Sequence, residues 1–182
     1  MASPYHRLAM IARWKPVHLG HQAILIALCR MGEKVLIGVG SSNRYNLRNP
    51  FTFDETRDML HLVLEKFDNH MIFPVPDLDN GPAWRSMVMD MCGKVDLFVT
   101  ENPYVAALLK EEYHLGRPVE LIPPEMQVPV DGSLVRRAMA SGENWESMVP
   151  EAVAKYIKSN HLDVRFRKEF GLQALASETL IQ

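Results

Sequence analysis

Two histidines, an arginine and a lysine lie close together in the segment Arg13-Trp14-Lys15-Pro16-Val17-His18-Leu19-Gly20-His21. A strand-like apolar run, Arg7–Ala12, precedes it, and a helical pattern, Gly20–Met31, follows. The start of a helix presents unpaired N–H groups and a partial positive charge, so it attracts anions. Gly20 lets a ligand approach the backbone closely. His18 and His21 are three residues apart and share one face of the first turn. This combination suits a polyphosphate. Neither the glycine-rich P-loop nor the G-x-G-x-x-G dinucleotide pattern is present. A lone histidine would be read as a solvated loop residue, but the pair directly after a strand, beside Arg and Pro, favours a ligand. A zinc site would need a third Cys or His, and none is close in sequence, although folding could bring His6 near.

These residues need a scaffold to hold them, and the composition bounds it. The chain has 182 residues, 47% apolar and 23% charged, which fits one globular domain and excludes disorder, collagen and coiled coil as the main class. A net charge of −2 gives no sign of bulk nucleic-acid or membrane affinity. The longest apolar run, Ala23–Cys29, is too short to span a membrane. Near the N-terminus only Leu8–Ala12 is apolar before Arg13, so no secretory signal is expected. Cys29 and Cys92 make no disulfide framework and read as buried structural thiols. These features predict a reduced, cytoplasmic protein.

Short β-rich runs alternate with helical ones. Strands are predicted at Arg7–Ala12, Lys34–Gly40, Met71–Val75, Val95–Thr100 and Val119–Ile122. Helices are predicted at Gly20–Met31, from Thr52 (a capping box with Glu55) to about Phe67, at Pro82–Cys92 before Gly93, from the Asn102 cap to about His114, from a Ser133 cap to a stop before Gly142, and from Pro150 to about Asn160. The alternation predicts an α/β fold, a doubly wound, Rossmann-like parallel sheet, spanning residues 1–162. Residues 163–182 follow no clear pattern and are expected to be a tail that packs either on the body of the domain or on a second subunit as an interface element. In such sheets ligands sit at the carboxyl ends of the strands, here the loops Arg13–Leu19, Ser41–Phe51, Pro76–Gly81, Glu101–Pro103 and Pro123–Gly132.

Arg13–His21 resembles the H-x-G-H signature of the nucleotidyltransferase superfamily. Val130-Asp131-Gly132-Ser133-Leu134-Val135-Arg136, followed by Arg137, resembles its I-S-x-T-x-x-R signature, with Asp131 in place of serine and Ser133 in place of threonine. Further stretches are similar to archaeal-type nicotinamide mononucleotide adenylyltransferases. They are Gly38-Val39-Gly40-Ser41-Ser42 with Asn49-Pro50-Phe51-Thr52, Pro76-Asp77 with Trp84, Phe98–Asn102, and Gly142-Glu143 with Trp145, Val149 and Pro150. The resemblance covers residues 8–160. It implies magnesium (Mg2+), ATP and nicotinamide mononucleotide, with NAD and pyrophosphate as products, and a homo-oligomer. It departs from the family at three places. The loop Asn43–Arg48 is shorter, Glu101 replaces a glycine, and Gly81 stands where a polar amide is expected near the nicotinamide, with Asn80 beside it.

The acceptor phosphate is already mostly ionised at neutral pH, with a second pKa of about 6, so no general base is needed. Catalysis is then positioning and neutralisation of phosphates during in-line attack on the ATP α-phosphorus, a role assigned to Arg13, His18, His21 and Arg136. The resemblance implies that Trp14, Pro16, Gly20, Thr100, Asn102, Ser133 and Arg137 line the ATP side. It implies Gly40, Ser41, Asn49, Phe51, Asn80 and Trp84 for the acceptor. Trp84 is either a stacking platform for the nicotinamide ring or a core aromatic of its helix. Phe51 either closes the acceptor loop or packs on the next helix. Arg44 and Arg48 either hold phosphate or form a solvated pair. Trp145 and the run Met87–Met91 are assigned to packing, and Lys110-Glu111-Glu112 to a solvated face.

Other readings use the same scaffold. One is an adenylyl- or cytidylyltransferase for another phosphorylated acceptor, such as phosphopantetheine, FMN or a phospho-sugar. A class I aminoacyl-tRNA synthetase relative should carry a K-M-S-K-S loop and a basic module, and neither is present. A non-catalytic nucleotide sensor would not need Arg13, His18, His21 and Arg136 together.

Overall fold

The computed structural model describes residues 4–176. They form two compact units. One holds the chain up to Arg13, Ala23–Asn43 and Lys66–Gln127; the other holds Trp14–Gln22, Arg44–Glu65 and the chain from Val128. No helix among the described residues is long and apolar enough to cross a membrane.

The first unit carries a five-stranded sheet: β1 (Tyr5–Ala12), β2 (Gly32–Gly40), β3 (His70–Val75), β4 (Leu97–Val99) and β5 (Leu115–Gly116). The order is β3-β2-β1-β4-β5, and every pair is parallel. This is the predicted α/β, Rossmann-like class. The strand order reverses at β1, so the switch point lies between the carboxyl ends of β1 and β4. The strands are apolar because both faces are buried. Leu8, Ala9, Val35, Leu36, Ile37, Val39, Phe98 and Val99 are almost wholly inaccessible. On one face Ala9, Leu36, Val75 and Phe98 pack with Val88 and Cys92 of α3 (Gly81–Cys92) and Leu109 of α4 (Pro103–Leu109). The helix after β1, α1 (Leu19–Met31), starts in the second unit and continues into the first. Cys29 and Cys92 are buried free thiols, and burial pushes them up, to about 12 and about 11.

The fifth strand is not where the sequence pattern put it. Val119–Ile122 looks β-like, but Pro118–Leu121 is a short helix, α5. Pro118 occupies its first turn, where a missing N–H costs nothing, and the Glu120 carboxylate accepts the Arg117 N–H at 2.9 Å. The strand itself is only Leu115–Gly116. Two predicted helices are also shorter than expected. The helix α2 (Phe53–Val63) ends before Phe67, and α4 stops at Leu109, whose carbonyl then takes the N–H groups of both Glu112 and Tyr113.

The second unit is helical: α2, α6 (Gly132–Ser141), α7 (Glu151–Ser159) and α8 (Leu162–Ala176), with α6 packed on α8 and α2 on α7. The predicted capping box is present, with Thr52 Oγ1 accepting the Glu55 N–H at 3.2 Å and Glu55 Oε2 accepting the Thr52 N–H at 2.9 Å. The predicted Ser133 cap is corrected. The N-cap of α6 is Asp131, whose carboxylate accepts the N–H groups of Ser133 (2.7 Å) and Leu134 (2.9 Å). A carboxylate is at least as good a cap as a hydroxyl and also meets the helix dipole. The segment without clear sequence pattern, from Asp163, is helical through Ala176; the remaining positions of that predicted tail lie outside the described residues.

Candidate active site

The second unit brings the two signature segments together. Trp14 is entirely buried and adopts a left-handed backbone (φ 57°), which turns the chain sharply after β1. Its ring meets His21 edge-on at 4.8 Å. His18 and His21 stack at 3.5 Å with an interplanar angle of 22°. Each accepts the other's backbone N–H at Nδ1, at 3.3 and 3.4 Å. An Nδ1 that accepts cannot carry the proton of a neutral ring, so this pairing assigns the proton to Nε2 in both. From α6, Arg136 donates through Nη1 to the Lys15 carbonyl at 2.9 Å and through Nη2 to Ser133 Oγ at 3.1 Å. Gly20 has a packing reason as well as the predicted one, because a Cβ there would lie 3.0 Å from the Val130 carbonyl and 3.2 Å from the His18 ring.

Electrostatics keep the histidine pair neutral. Burial pulls His18 down to about 4; the Asp131 carboxylate works against this and Arg136 adds to it. Burial also holds His21 well below its usual value, and the His18 ring helps, while a bond to the Pro16 carbonyl opposes it. Two rings stacked this closely cannot both be cations at low cost. At neutral pH the pair therefore offers hydrogen-bond donors, and the fixed charge comes from Arg136. One consequence concerns stability. With the His18 pKa lowered from 6.5 to about 4, the unfolded chain binds a proton that the folded chain does not across that window. Stability is complete above the upper value and falls as pH drops through the window. Melting curves from neutral pH to about pH 5 should show this loss, and it should shrink in His18→Asn.

The sequence reading missed the part played by Lys15. Its side chain is 2% exposed and its carbonyl anchors Arg136. Its neighbours Trp14 and Pro16 are buried with it, an enclosure that no local sequence pattern signals. Arg137 is exposed on α6. Of the loop residues, Phe51 is wholly buried and Asn49 is 5% exposed, its Nδ2 donating to Asn46 Oδ1 at 3.1 Å.

The first unit holds the other predicted residues. Arg13 is exposed just past β1, and Thr100 is buried just past β4, on the two sides of the switch point. Thr100 Oγ1 accepts the Asn102 N–H at 3.2 Å, and Asn102 caps α4 through the Tyr104 N–H at 2.9 Å. Glu101, the residue that departs from glycine, pairs with Arg117 at 2.8 Å on the surface. Gly40 closes β2 and Ser41 turns left-handed (φ 50°). Asn43 then clamps Asp77 from both sides, accepting its N–H at 2.8 Å and donating to its carbonyl at 2.9 Å. Asn80 caps α3 by accepting the Ala83 N–H at 2.9 Å. A Cβ at Gly81 would meet the Tyr104 hydroxyl at 2.7 Å, so a larger residue there would have to displace the exposed tip of that side chain. Trp84 is partly buried against the core cluster, so it packs while keeping an accessible edge.

The sheet order and the clustered H-x-G-H segment define the cytidylyltransferase-like class, whose family model matches residues 9–106. Within that class the chain is 33% identical over 156 residues to the nicotinamide-nucleotide adenylyltransferase of Thermoplasma volcanium, covering 84% of this chain and 86% of that one. It is 33% identical over 153 residues to the enzyme of the same name from Thermococcus kodakarensis, covering 81% and 80%. The chain belongs to the nicotinamide-nucleotide adenylyltransferase family. Its backbone is also similar to a bifunctional NMN adenylyltransferase/ADP ribose pyrophosphatase from Francisella tularensis, solved with AMP and a manganese ion (TM-score 0.71, 16% identity, 97% of this chain). At that identity the likeness concerns the fold, and the chain spans 56% of that protein's length.

Proposed function

We propose that this protein transfers the adenylyl group of ATP to nicotinamide mononucleotide. A phosphate oxygen of the acceptor attacks the α-phosphorus, the bond to the bridging oxygen of the β-phosphate breaks, and pyrophosphate leaves with that electron pair. The products are NAD and pyrophosphate. The observation that carries this is the His18–His21–Arg136 cluster at the start of α1, in a chain one-third identical to adenylyltransferases of that name. His18 donates from Nε2 to a phosphate oxygen and His21 exchanges its bond to the Pro16 carbonyl for a second one, while Arg136 and Arg13 offset the charge that builds on the leaving pyrophosphate. Preorganised donors of this kind, not proton transfer, lower the barrier. Among the described residues no three His, Cys, Asp or Glu side chains converge on one point. Magnesium is assigned mainly to the nucleotide substrate, entering on the triphosphate oxygens.

Thr100, Asn102, Ser133 and Arg137, with Trp14, Pro16 and Gly20, are assigned to ATP. Gly40, Ser41, Asn49, Phe51, Asn80 and Trp84 are assigned to the acceptor, Phe51 by supporting the loop from beneath. Stacking of a base on an aromatic is worth roughly 1–3 kcal/mol. Trp84→Ala should thus raise the acceptor KM about tenfold or more and leave the ATP KM unchanged. An equal rise in both, tracking a loss of folded protein, would assign Trp84 to the core alone. Glycine at position 81, where the resemblance expects a polar amide, favours one second reading, a different phosphorylated acceptor. A pyrophosphate-release screen against nicotinamide mononucleotide, phosphopantetheine, FMN and sugar phosphates separates the two. The proposal expects release with nicotinamide mononucleotide and is wrong if another acceptor gives the faster release.

A further inference from the structure

The helix α8 grips the loop between β2 and α2 at both ends. Arg165 forms a two-toothed ion pair with Glu55, Nη1 to Oε1 at 2.5 Å and Nη2 to Oε2 at 2.7 Å. Nη2 also donates to the Pro50 carbonyl at 3.1 Å. The same Glu55 carboxylate closes the α2 capping box on Thr52, so Arg165 locks the end of the loop and the start of the helix in one contact. The pair is largely enclosed, with side-chain exposures of 29% and 18%. At the other end of the loop, the Tyr45 hydroxyl donates to Glu169, and its ring meets Phe170 edge-on at 5.4 Å. The Arg165 guanidinium lies 5.8 Å from the Tyr45 ring. Between these anchors Asn46 Oδ1 gathers the N–H groups of Arg48 (3.0 Å) and Asn49 (3.1 Å) and the Asn49 side-chain amide (3.1 Å). The loop is thus shaped from within by Asn46 and from outside by α8.

We propose that Arg165 is a positioning residue for acceptor recognition: through Glu55 and Pro50 it holds the Arg44–Phe51 loop in the form that the acceptor nucleotide meets. This rests on the acceptor reading of that loop. Directional, charge-assisted bonds fix the geometry of both loop ends as well as adding energy. Arg165 and Tyr45 bond to Glu55, the Pro50 carbonyl and Glu169, so their influence on the acceptor passes through the loop.

The test is steady-state kinetics of the full chain with magnesium, ATP and nicotinamide mononucleotide, alongside melting curves. Arg165→Met should raise the acceptor KM by roughly tenfold, the scale of a lost charge-assisted contact, with kcat and ATP KM within about twofold. Arg165→Lys should restore only part of this, because one ammonium cannot span both carboxylate oxygens. Tyr45→Phe removes only the hydroxyl contact and should give a smaller rise of the same selectivity. It keeps the proposal testable if Arg165→Met folds poorly. NAD formation by the unaltered protein with unchanged acceptor KM in both variants would overturn the positioning role alone. Parallel rises in both KM values that follow loss of folded protein would also overturn it. Absence of NAD from the unaltered protein would overturn the acceptor reading and this inference with it.

Discussion

His21→Ala should cut kcat by about 10²–10³, the range typical for removing one preorganised donor, or about 2.7–4 kcal/mol of transition-state stabilisation. The ring does two things in the structure. It offers a donor at Nε2, and it fills the space between Trp14 and His18, which it touches at 4.8 and 3.5 Å. The alanine variant removes both. His21→Asn retains an amide donor and part of the packing, so it should recover some rate. If the donor acts mainly in the transition state, kcat falls while ATP affinity changes little. Single-turnover kinetics with calorimetric ATP binding separate the two terms. Unchanged turnover in His21→Ala would remove His21 from the catalytic set.

Arg136→Met should cause a loss of the same order, roughly 10²–10³ in kcat/KM, and should lower ATP affinity as well. Arg136 reaches the Lys15 carbonyl at 2.9 Å and Ser133 at 3.1 Å, so it ties the second signature segment to the first while carrying the positive charge of the cluster. Its loss leaves a buried loop carbonyl short of a donor and removes the charge that offsets the phosphates. Arg136→Lys keeps the charge but not the planar fork, and should remain well below the unaltered enzyme. Full activity in the lysine variant would mean that only charge matters there. Full activity in the methionine variant would contradict the assignment.

Much of the frame was legible because its physics is local. The first four parallel strands follow from apolar runs bounded by turns. The α2 capping box was visible as Thr52 with Glu55, and the stop of α3 as Gly93, which takes φ 59°. Errors arose where tertiary context or chemistry overrode pattern. Val119–Ile122 has strand-like residues, yet Pro118 and the Glu120–Arg117 bond make it helical, while the real edge strand is two residues long and too short to show a period. At the start of α6 two caps competed, and the carboxylate of Asp131 won over the Ser133 hydroxyl, which instead receives Arg136. The helix α8 alternates Arg165, Phe166, Arg167 and Phe170 without a clean apolar stripe, because its charged residues face partners inside the fold. Such pairings join residues more than a hundred positions apart, as with Arg165 and Glu55, and no local period reports them. At the site, the pairing of His18 with His21 was visible from spacing. Their neutrality and the buried Lys15 were not, since both depend on enclosure.

The measurement that bears most directly on the adenylyl-transfer reading is product analysis. The protein is incubated with ATP, magnesium and nicotinamide mononucleotide, and the mixture is examined by mass spectrometry beside the His21→Ala variant. The expected result is NAD and pyrophosphate in equal amounts, formed over many turnovers by the unaltered protein and far more slowly by the variant. Bound ATP with no NAD and no pyrophosphate would contradict it.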